Sequence, residues 1–341
     1  KQPVRRLLLR STNWIGDAVM TTPAMAAIRA AFPQAEIVIV ANPAVAELFR
    51  HHPYCDRVLV FDKKGTHRGL PGLLRFASEL RREAFDLAIL LQNAIEAALL
   101  AALAGIPRRA GYRTDGRRLL LTDGVPVGAE ERCLHHTDYY LRMLRNLGVE
   151  GGDGRLRLEC TGDELTWARQ VLGPGSCLAV NPGAAYGSAK RWFPERFAAV
   201  ADTLAQEHGL KVVLTGGPGE GEIGRDIAAA MRSPVLNLIG RTSVRQLMAV
   251  LSLCRLVVTN DSGPMHVAAA FGVPIVAVFG PTDHTTTSPL GGDVRIVRRE
   301  IDCAPCLLRQ CPTDHRCMEA VTVDDVLSAA RDLLAEGRCA S

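Results

Sequence analysis

Short runs of Val, Ile, Leu and Ala recur along the chain, each followed by a polar or glycine-rich loop and then by apolar residues spaced three and four apart. The first pattern predicts buried strands and the second amphipathic helices. In the first half the strands fall at 4–10, 36–41, 57–61 and 86–91, with helices at 17–32, 44–51 and 70–82. In the second half strands at 177–181, 211–215, 234–238 and 255–259 alternate with helices at 194–208, 220–231 and 244–251. The stretch 259–282, TNDSGPMHVAAAFGVPIVAVFGPT, is one further strand–loop–helix–strand unit. Strands that alternate with helices form parallel sheets covered on both faces. The pattern therefore predicts an α/β protein of two doubly wound, Rossmann-like domains facing across a cleft. The charged, glycine-rich segment 150–175 marks the boundary, giving domains at 1–165 and 170–322 and a terminal helix at 323–341.

The length of 341 residues suits two cores, and 48% hydrophobic residues with 31 Gly and 5% aromatics fit this fold class. A net charge of only +4 gives no global signature of a nucleic-acid-binding protein. No apolar run is long enough for a transmembrane helix. The opening KQPVRRLLLRSTNW leads straight into a strand, so no signal peptide and a cytoplasmic location are expected.

In a doubly wound domain, ligands sit outside the carboxyl ends of the strands. Four loops occupy such positions. After the first strand come Asn13-Trp14-Ile15-Gly16-Asp17. Asp17 is either a helix cap or a general base facing the cleft. The second loop, Asn181 to Pro194, offers backbone N–H groups at Gly183, Ala184, Ala185 and Tyr186 for a diphosphate, with Lys190 and Arg191 to neutralise it. The third carries Glu220 and Glu222, either of which is an acceptor for ribose hydroxyls, and the fourth Thr242, a candidate wall of an adenine pocket. In the 259–282 unit, Ser262 or Asp261 is expected to cap the helix, Gly263 permits close backbone approach, and His266 is either a ligand contact or a packed helix residue.

Taken together, the segments WIGDAVMTTPAMAAIRAAFP, NPGAAYGSAKRWFPERFAAVA and TNDSGPMHVAAAFGVPIVAVFGPT resemble the ADP-heptose:lipopolysaccharide heptosyltransferases, glycosyltransferases of family 9 with the two-Rossmann GT-B fold. The segments RAGYRTDG and HTDYY look more like the second heptosyltransferase than the first. The resemblance implies an N-terminal acceptor domain, a C-terminal nucleotide-sugar domain, and inverting transfer of heptose from ADP-L-glycero-D-manno-heptose to the heptosylated inner core. In the family the acid after the first-loop glycine is the proposed base, which maps to Asp17. The Lys before the Trp holds donor phosphate, mapping to Lys190, and Asp261, Ser262, Gly263 and His266 contact phosphate and sugar. Some members carry hydroxyl residues where this chain has Ala184 and Ala185, which leaves backbone N–H groups as the phosphate contacts there. No D-x-D motif occurs, so cationic side chains and a helix end are expected to take the place of a catalytic metal.

The implied acceptor is an anionic, lipid-linked oligosaccharide, so peripheral contact with the inner leaflet of the inner membrane is implied as well, and no nucleic acid. Lys63, Lys64 and Arg68, then Arg108 and Arg109, then Arg113, Arg117 and Arg118 form three basic clusters, readable as solvated faces or as one phosphate-reading surface. His136 is placed with this acceptor group. Cys303, Cys306, Cys311 and Cys317 are either ligands of a structural zinc or free thiols. Three rival readings stand beside the leading one. They are a family member with a different sugar or acceptor, a GT-B nucleotide-sugar 2-epimerase, and a non-catalytic sugar-nucleotide binder.

Overall fold

The computed structural model describes residues 3–336. The chain divides into two units, one ending at Glu159 and the other beginning at Cys160. The boundary lies a few residues before the expected one because the helix Gly162–Leu172 belongs to the second unit. Glu164 in its first turn accepts two hydrogen bonds, of 2.7 and 2.6 Å, from the Arg245 guanidinium on the helix Val244–Ser252.

The first unit is a six-stranded sheet of β1 (Arg6–Arg10), β2 (Glu36–Ala41), β3 (Arg57–Val60), β4 (Leu87–Leu90), β5 (Arg108–Tyr112) and β6 (Asp123–Val125). All pairs are parallel and the order is β3-β2-β1-β4-β5-β6. The second unit repeats the plan with β7 (Cys177–Asn181), β8 (Lys211–Leu214), β9 (Val235–Asn237), β10 (Leu256–Asn260), β11 (Ile275–Val278) and β12 (Val294–Val297). Its order, β12-β11-β10-β7-β8-β9, is the same one read from the opposite edge. Central strands such as Leu7-Leu8-Leu9 and Leu256-Val257-Val258 are buried throughout, as helices on both faces require. Between β1 and β4, and again between β7 and β10, the strand order reverses. The loops leaving those neighbours diverge and open a crevice at the carboxyl end of each sheet.

The first expected helix, 17–32, is two helices, Ile15–Met20 and Thr22–Ala31, that break at Thr21. Pro23 has no N–H for the Val19 carbonyl, and the Thr22 hydroxyl donates to that carbonyl instead, at 2.8 Å. The helices Ile95–Leu103 and His136–Asn146 and the strands β5, β6 and β12 go beyond the sequence reading. The terminal helix Val323–Glu336 buries Val326, Leu327, Ala330 and Leu333 in the second core beside Phe197 and Leu204; residues 337–341 of the expected helix lie outside the described residues. Among the described residues no helix is long and apolar enough to cross a membrane.

Candidate functional site

In the first unit the reversal point holds a cavity of about 400 Å³, lined by the loops after β1 and β4 and by the start of the helix His136–Asn146. Asp17 lines it from the first turn of the helix Ile15–Met20. The His136 imidazole approaches from the opposite wall, with Nδ1 3.5 Å from Asp17 Oδ1. That separation is long for a hydrogen bond, and Nδ1 makes none among the described residues. Tyr140, also in the lining, is buried. Burial, and after it the charges of Asp17 and Tyr139, push its phenol well above the ordinary range.

Three buried polar atoms of the lining have no hydrogen-bond partner among the described residues: the Thr12 hydroxyl, the Gln92 amide oxygen and His136 Nδ1. A buried polar atom without a partner costs about 1–3 kcal/mol. Trp14, 48% exposed, adds an aromatic face at the rim.

The cations expected to read acceptor phosphates divide. Lys64, Arg68 and Arg113 are exposed, whereas Lys63 is ion-paired with Glu96. Arg117 corrects the sequence reading: it is fully buried and does not present its charge to solvent. Its guanidinium donates to the carbonyls of Tyr112 at 2.8 Å and Gln92, and to Asn93 Oδ1 at 3.1 Å. Arg117 therefore fixes the β4 loop from behind, because five fixed donors can satisfy several carbonyls at a chain turn. Burial pulls the guanidinium down to about 10, far enough above neutrality to stay charged. His136 lies in the Asp17 cavity rather than among these cations.

In the second unit the loops after β7 and β10 meet at the reversal point. The Asn260 amide donates to the Pro182 carbonyl at 2.7 Å and accepts from the Trp192 N–H at 3.0 Å, so one side chain stitches both loops. This brings Lys190 Nζ within 2.6 Å of Asp261 Oδ2, which also accepts from the Thr282 hydroxyl at 2.6 Å. Lys190 further lies over the Tyr186 ring, 4.9 Å from its centre. Gly183 and Ala184 are buried, Ala185 is exposed, and Arg191, whose Nε is buried without a partner, lies beside them.

Glu220 closes the far side of the loop. Its carboxylate accepts from the Gly217 N–H at 2.7 Å and rests where a Cβ on Gly183 would be, 2.0 Å away. The Gly240 N–H donates to the Gly216 carbonyl at 3.0 Å, which sets the partly buried Thr242 beside that loop. Ser262 stands at the helix start without capping it, because its hydroxyl is engaged by Asn181 at 3.1 Å and Thr259 at 3.2 Å. Asp261 likewise spends its carboxylate on Lys190 and Thr282. Gly263 and Pro264 open the helix Gly263–Ala270, and His266 is 3% exposed within it.

The cysteine-bearing segment takes an unexpected place. The Arg309 carbonyl accepts from the Ala189 N–H at 3.0 Å, the Tyr186 hydroxyl donates to the Leu307 carbonyl at 2.8 Å, and His315 Nε2 donates to the Ala189 carbonyl at 2.7 Å. Arg309 stacks on the Tyr186 ring, 5.2 Å from its centre. The segment thus straps the Lys190 loop and adds a second cation beside it. No motif spacing signals this, since the contacts run mostly through backbone. Cys303 and Cys306 are exposed, Cys311 is half-buried and Cys317 is buried against Gly280. Among the described residues, no group of three or more His, Cys, Asp or Glu side chains is placed to hold a metal ion.

Two parallel sheets of the same Rossmann order, each with polar loops gathered at its reversal point, define a doubly wound α/β protein of two Rossmann-like units. The sequence profile described as Glycosyltransferase family 9 (heptosyltransferase) matches residues 73–316, and the chain belongs to that family. The protein is a glycosyltransferase. It is 30% identical to lipopolysaccharide heptosyltransferase 2 of Salmonella typhimurium over 86% of this chain and 88% of that protein. With lipooligosaccharide heptosyltransferase 2 of Campylobacter jejuni it shares 28% identity over 96% of this chain and 98% of that protein. Its structure is similar to that of the ADP-heptose lipopolysaccharide heptosyltransferase II of E. coli, with a TM-score of 0.84 and 27% identity over 98% of this chain and 99% of that one.

Proposed function

We propose that this enzyme transfers heptose, with inversion, from ADP-L-glycero-D-manno-heptose to the heptosylated inner core of lipopolysaccharide. Asp17, in the lining of the first unit's cavity, takes the proton from the attacking heptose hydroxyl. The hydroxyl oxygen bonds to the anomeric carbon as the bond to the ADP oxygen breaks, and the proton rests on the carboxylate. In the second unit Lys190 and Arg191 offset the charge that gathers on departing ADP, with backbone N–H groups of the Gly183–Tyr186 loop as the diphosphate contacts. Glu220 and Thr242 are the residues for ribose and adenine, and Asp261, Gly263 and His266 complete the donor side. Lys64, Arg68 and Arg113 meet acceptor phosphates. The acceptor's lipid anchor sets the enzyme at the cytoplasmic face of the inner membrane.

The observation that carries this reading is the Asp17 carboxylate lining a cavity at the reversal point of the first sheet, with His136 Nδ1 3.5 Å away. The test is ADP release from ADP-heptose with and without an acceptor core that already bears one heptose. Release that requires this acceptor supports the proposal; release with an unheptosylated core, or none with either, overturns the acceptor assignment.

A further inference from the structure

The cations around the β7 loop of the second unit are not equally available to a ligand. Lys190 Nζ stands 2.6 Å from Asp261 Oδ2, so its charge is largely offset before any anion arrives. Arg191 is half-buried and turns one N–H toward the Ala184 carbonyl, at 3.4 Å. Arg309, which reaches the loop from the segment ahead of the helix Val323–Glu336, differs from both. Its guanidinium lies over the Tyr186 ring, and the residue is exposed. Among the described residues that guanidinium meets no carboxylate and no carbonyl, so its five N–H donors are unspent.

The place of Arg309 is set through backbone. The Leu307 N–H donates to the Pro281 carbonyl at 2.8 Å, and the Leu307 carbonyl accepts from the Tyr186 hydroxyl at 2.8 Å. Two residues on, the Arg309 carbonyl accepts from the Ala189 N–H at 3.0 Å. Gly187 permits that approach, since a Cβ there would stand 2.8 Å from Arg309 Cα. Residue 309 is therefore held against the 183–190 loop whatever its side chain does. The acids of these loops are committed elsewhere: Asp261 to Lys190 and Thr282, Glu220 to the Gly217 N–H, and Asp314 to Arg316 at 3.0 Å.

We infer that Arg309 binds the diphosphate of the donor beside Lys190 and Arg191, and supplies the positive charge that Lys190 shares with Asp261. A guanidinium resting on an aromatic ring keeps its in-plane N–H groups free, and that planar fork matches two oxygens of a phosphate. The tyrosine holds the face of the group and the ligand takes its edge. The inference rests on the ADP-sugar donor of the proposed function and adds a residue that lies outside the β7 and β10 loop motifs. It also gives the strap a task, which is to deliver this cation.

The test is calorimetric titration of the full-length protein with ADP and with adenosine. Arg309→Gln is expected to weaken ADP binding roughly tenfold or more and to flatten its salt dependence, with adenosine affinity unchanged. Arg309→Lys should recover part of the loss, because it restores the charge without the fork. The thermal midpoint and the rate of proteolysis within 303–315 should match wild type, since the backbone bonds of the strap remain. Equal ADP affinity in Arg309→Gln and wild type would overturn the assignment and leave the transfer reading standing. So would an equal loss for ADP and adenosine, or faster cleavage of the strap, either of which would make the arginine a packing residue. Weakened ADP binding in the variant, with no acceptor-dependent ADP release by wild type, supports the diphosphate contact and counts against the transfer reading alone. A wild type that binds no ADP would overturn both.

Discussion

Lys190 and Asp261, 71 positions apart in sequence, form a 2.6 Å ion pair with side chains only 13% and 5% exposed. The pair spans the reversal point of the second sheet, where the β7 and β10 loops meet. A buried pair gains little net stability over an apolar pair, but removal of one member strands the other charge. Its value is therefore positional: it fixes an ammonium in a loop of buried backbone.

Lys190→Ala should lower unfolding free energy by about 3 kcal/mol, because the Asp261 carboxylate then has only the Thr282 hydroxyl. The double change Lys190→Met/Asp261→Leu should restore most of that stability yet leave ADP binding weakened by roughly tenfold or more. Urea unfolding beside calorimetric ADP titration separates the two effects. Full recovery of ADP affinity in the double variant would show that the lysine serves packing alone.

His136 Nδ1 lies 3.5 Å from Asp17 Oδ1 at the wall of the first unit's cavity. Asp17→Asn should cut kcat by about 10²–10⁴, as loss of a general base does. His136→Ala should lower kcat several-fold with the donor KM unchanged, and should add nothing in the Asp17→Asn background. Additive losses in that cycle would mean that the two residues act separately.

Arg117→Ala should cost about 3 kcal/mol of stability, since three acceptors of the β4 and β5 loops lose their donor. Lys64→Ala and Arg113→Ala should leave the thermal midpoint within a degree or so and instead flatten the salt dependence of the acceptor KM. A fully stable Arg117→Ala protein would return this residue to the phosphate-reading surface.

Glu164 gives a pH dependence of known sign. Burial alone would raise its pKa, but hydrogen bonds from Arg245 and from Thr161 outweigh it and hold the carboxyl below the ordinary value of 4.5. A depressed folded-state pKa contributes stability above the unfolded value, and that stability is lost as pH falls through the folded one. Glu164→Gln should thus be about 1 kcal/mol less stable than wild type at neutral pH, with the gap closing as pH falls below the ordinary value of 4.5 and through the depressed one. Thermal midpoints from pH 3 to 8 would show this, and a gap independent of pH would exclude the ion pair as its source.

Gly187 has the Arg309 carbonyl oxygen 2.1 Å from where a Cβ would sit. Gly187→Ala should displace the strap, so proteolysis within 303–315 should quicken and ADP affinity fall several-fold. Unchanged cleavage and affinity would show that the strap bears no relation to the donor loop.

Much of this architecture was legible in the chain. Strand β7 and the helix Pro194–His208 fall where the pattern of apolar residues put them, because burial on both sheet faces and a 3.6-residue period leave local traces. The helix Ile95–Leu103 left no such trace, being apolar nearly all round, and β6, three residues with a central glycine, lacks a strand signature. The motifs after β1, β7 and β10 likewise placed Asp17, Lys190 and Asp261 at strand ends.

What the sequence could not decide was which of these side chains would meet. Arg117 reads as one more surface charge, since its burial depends on carbonyls supplied by Gln92 and Tyr112. The approach of His136 to Asp17, and of Arg309 to Tyr186, depends on how helices and loops pack after the sheets have formed. Residue pattern records what each segment buries. Strand order alone, reversing between β1 and β4 and between β7 and β10, determines which distant loops share a crevice, and no local periodicity carries that information.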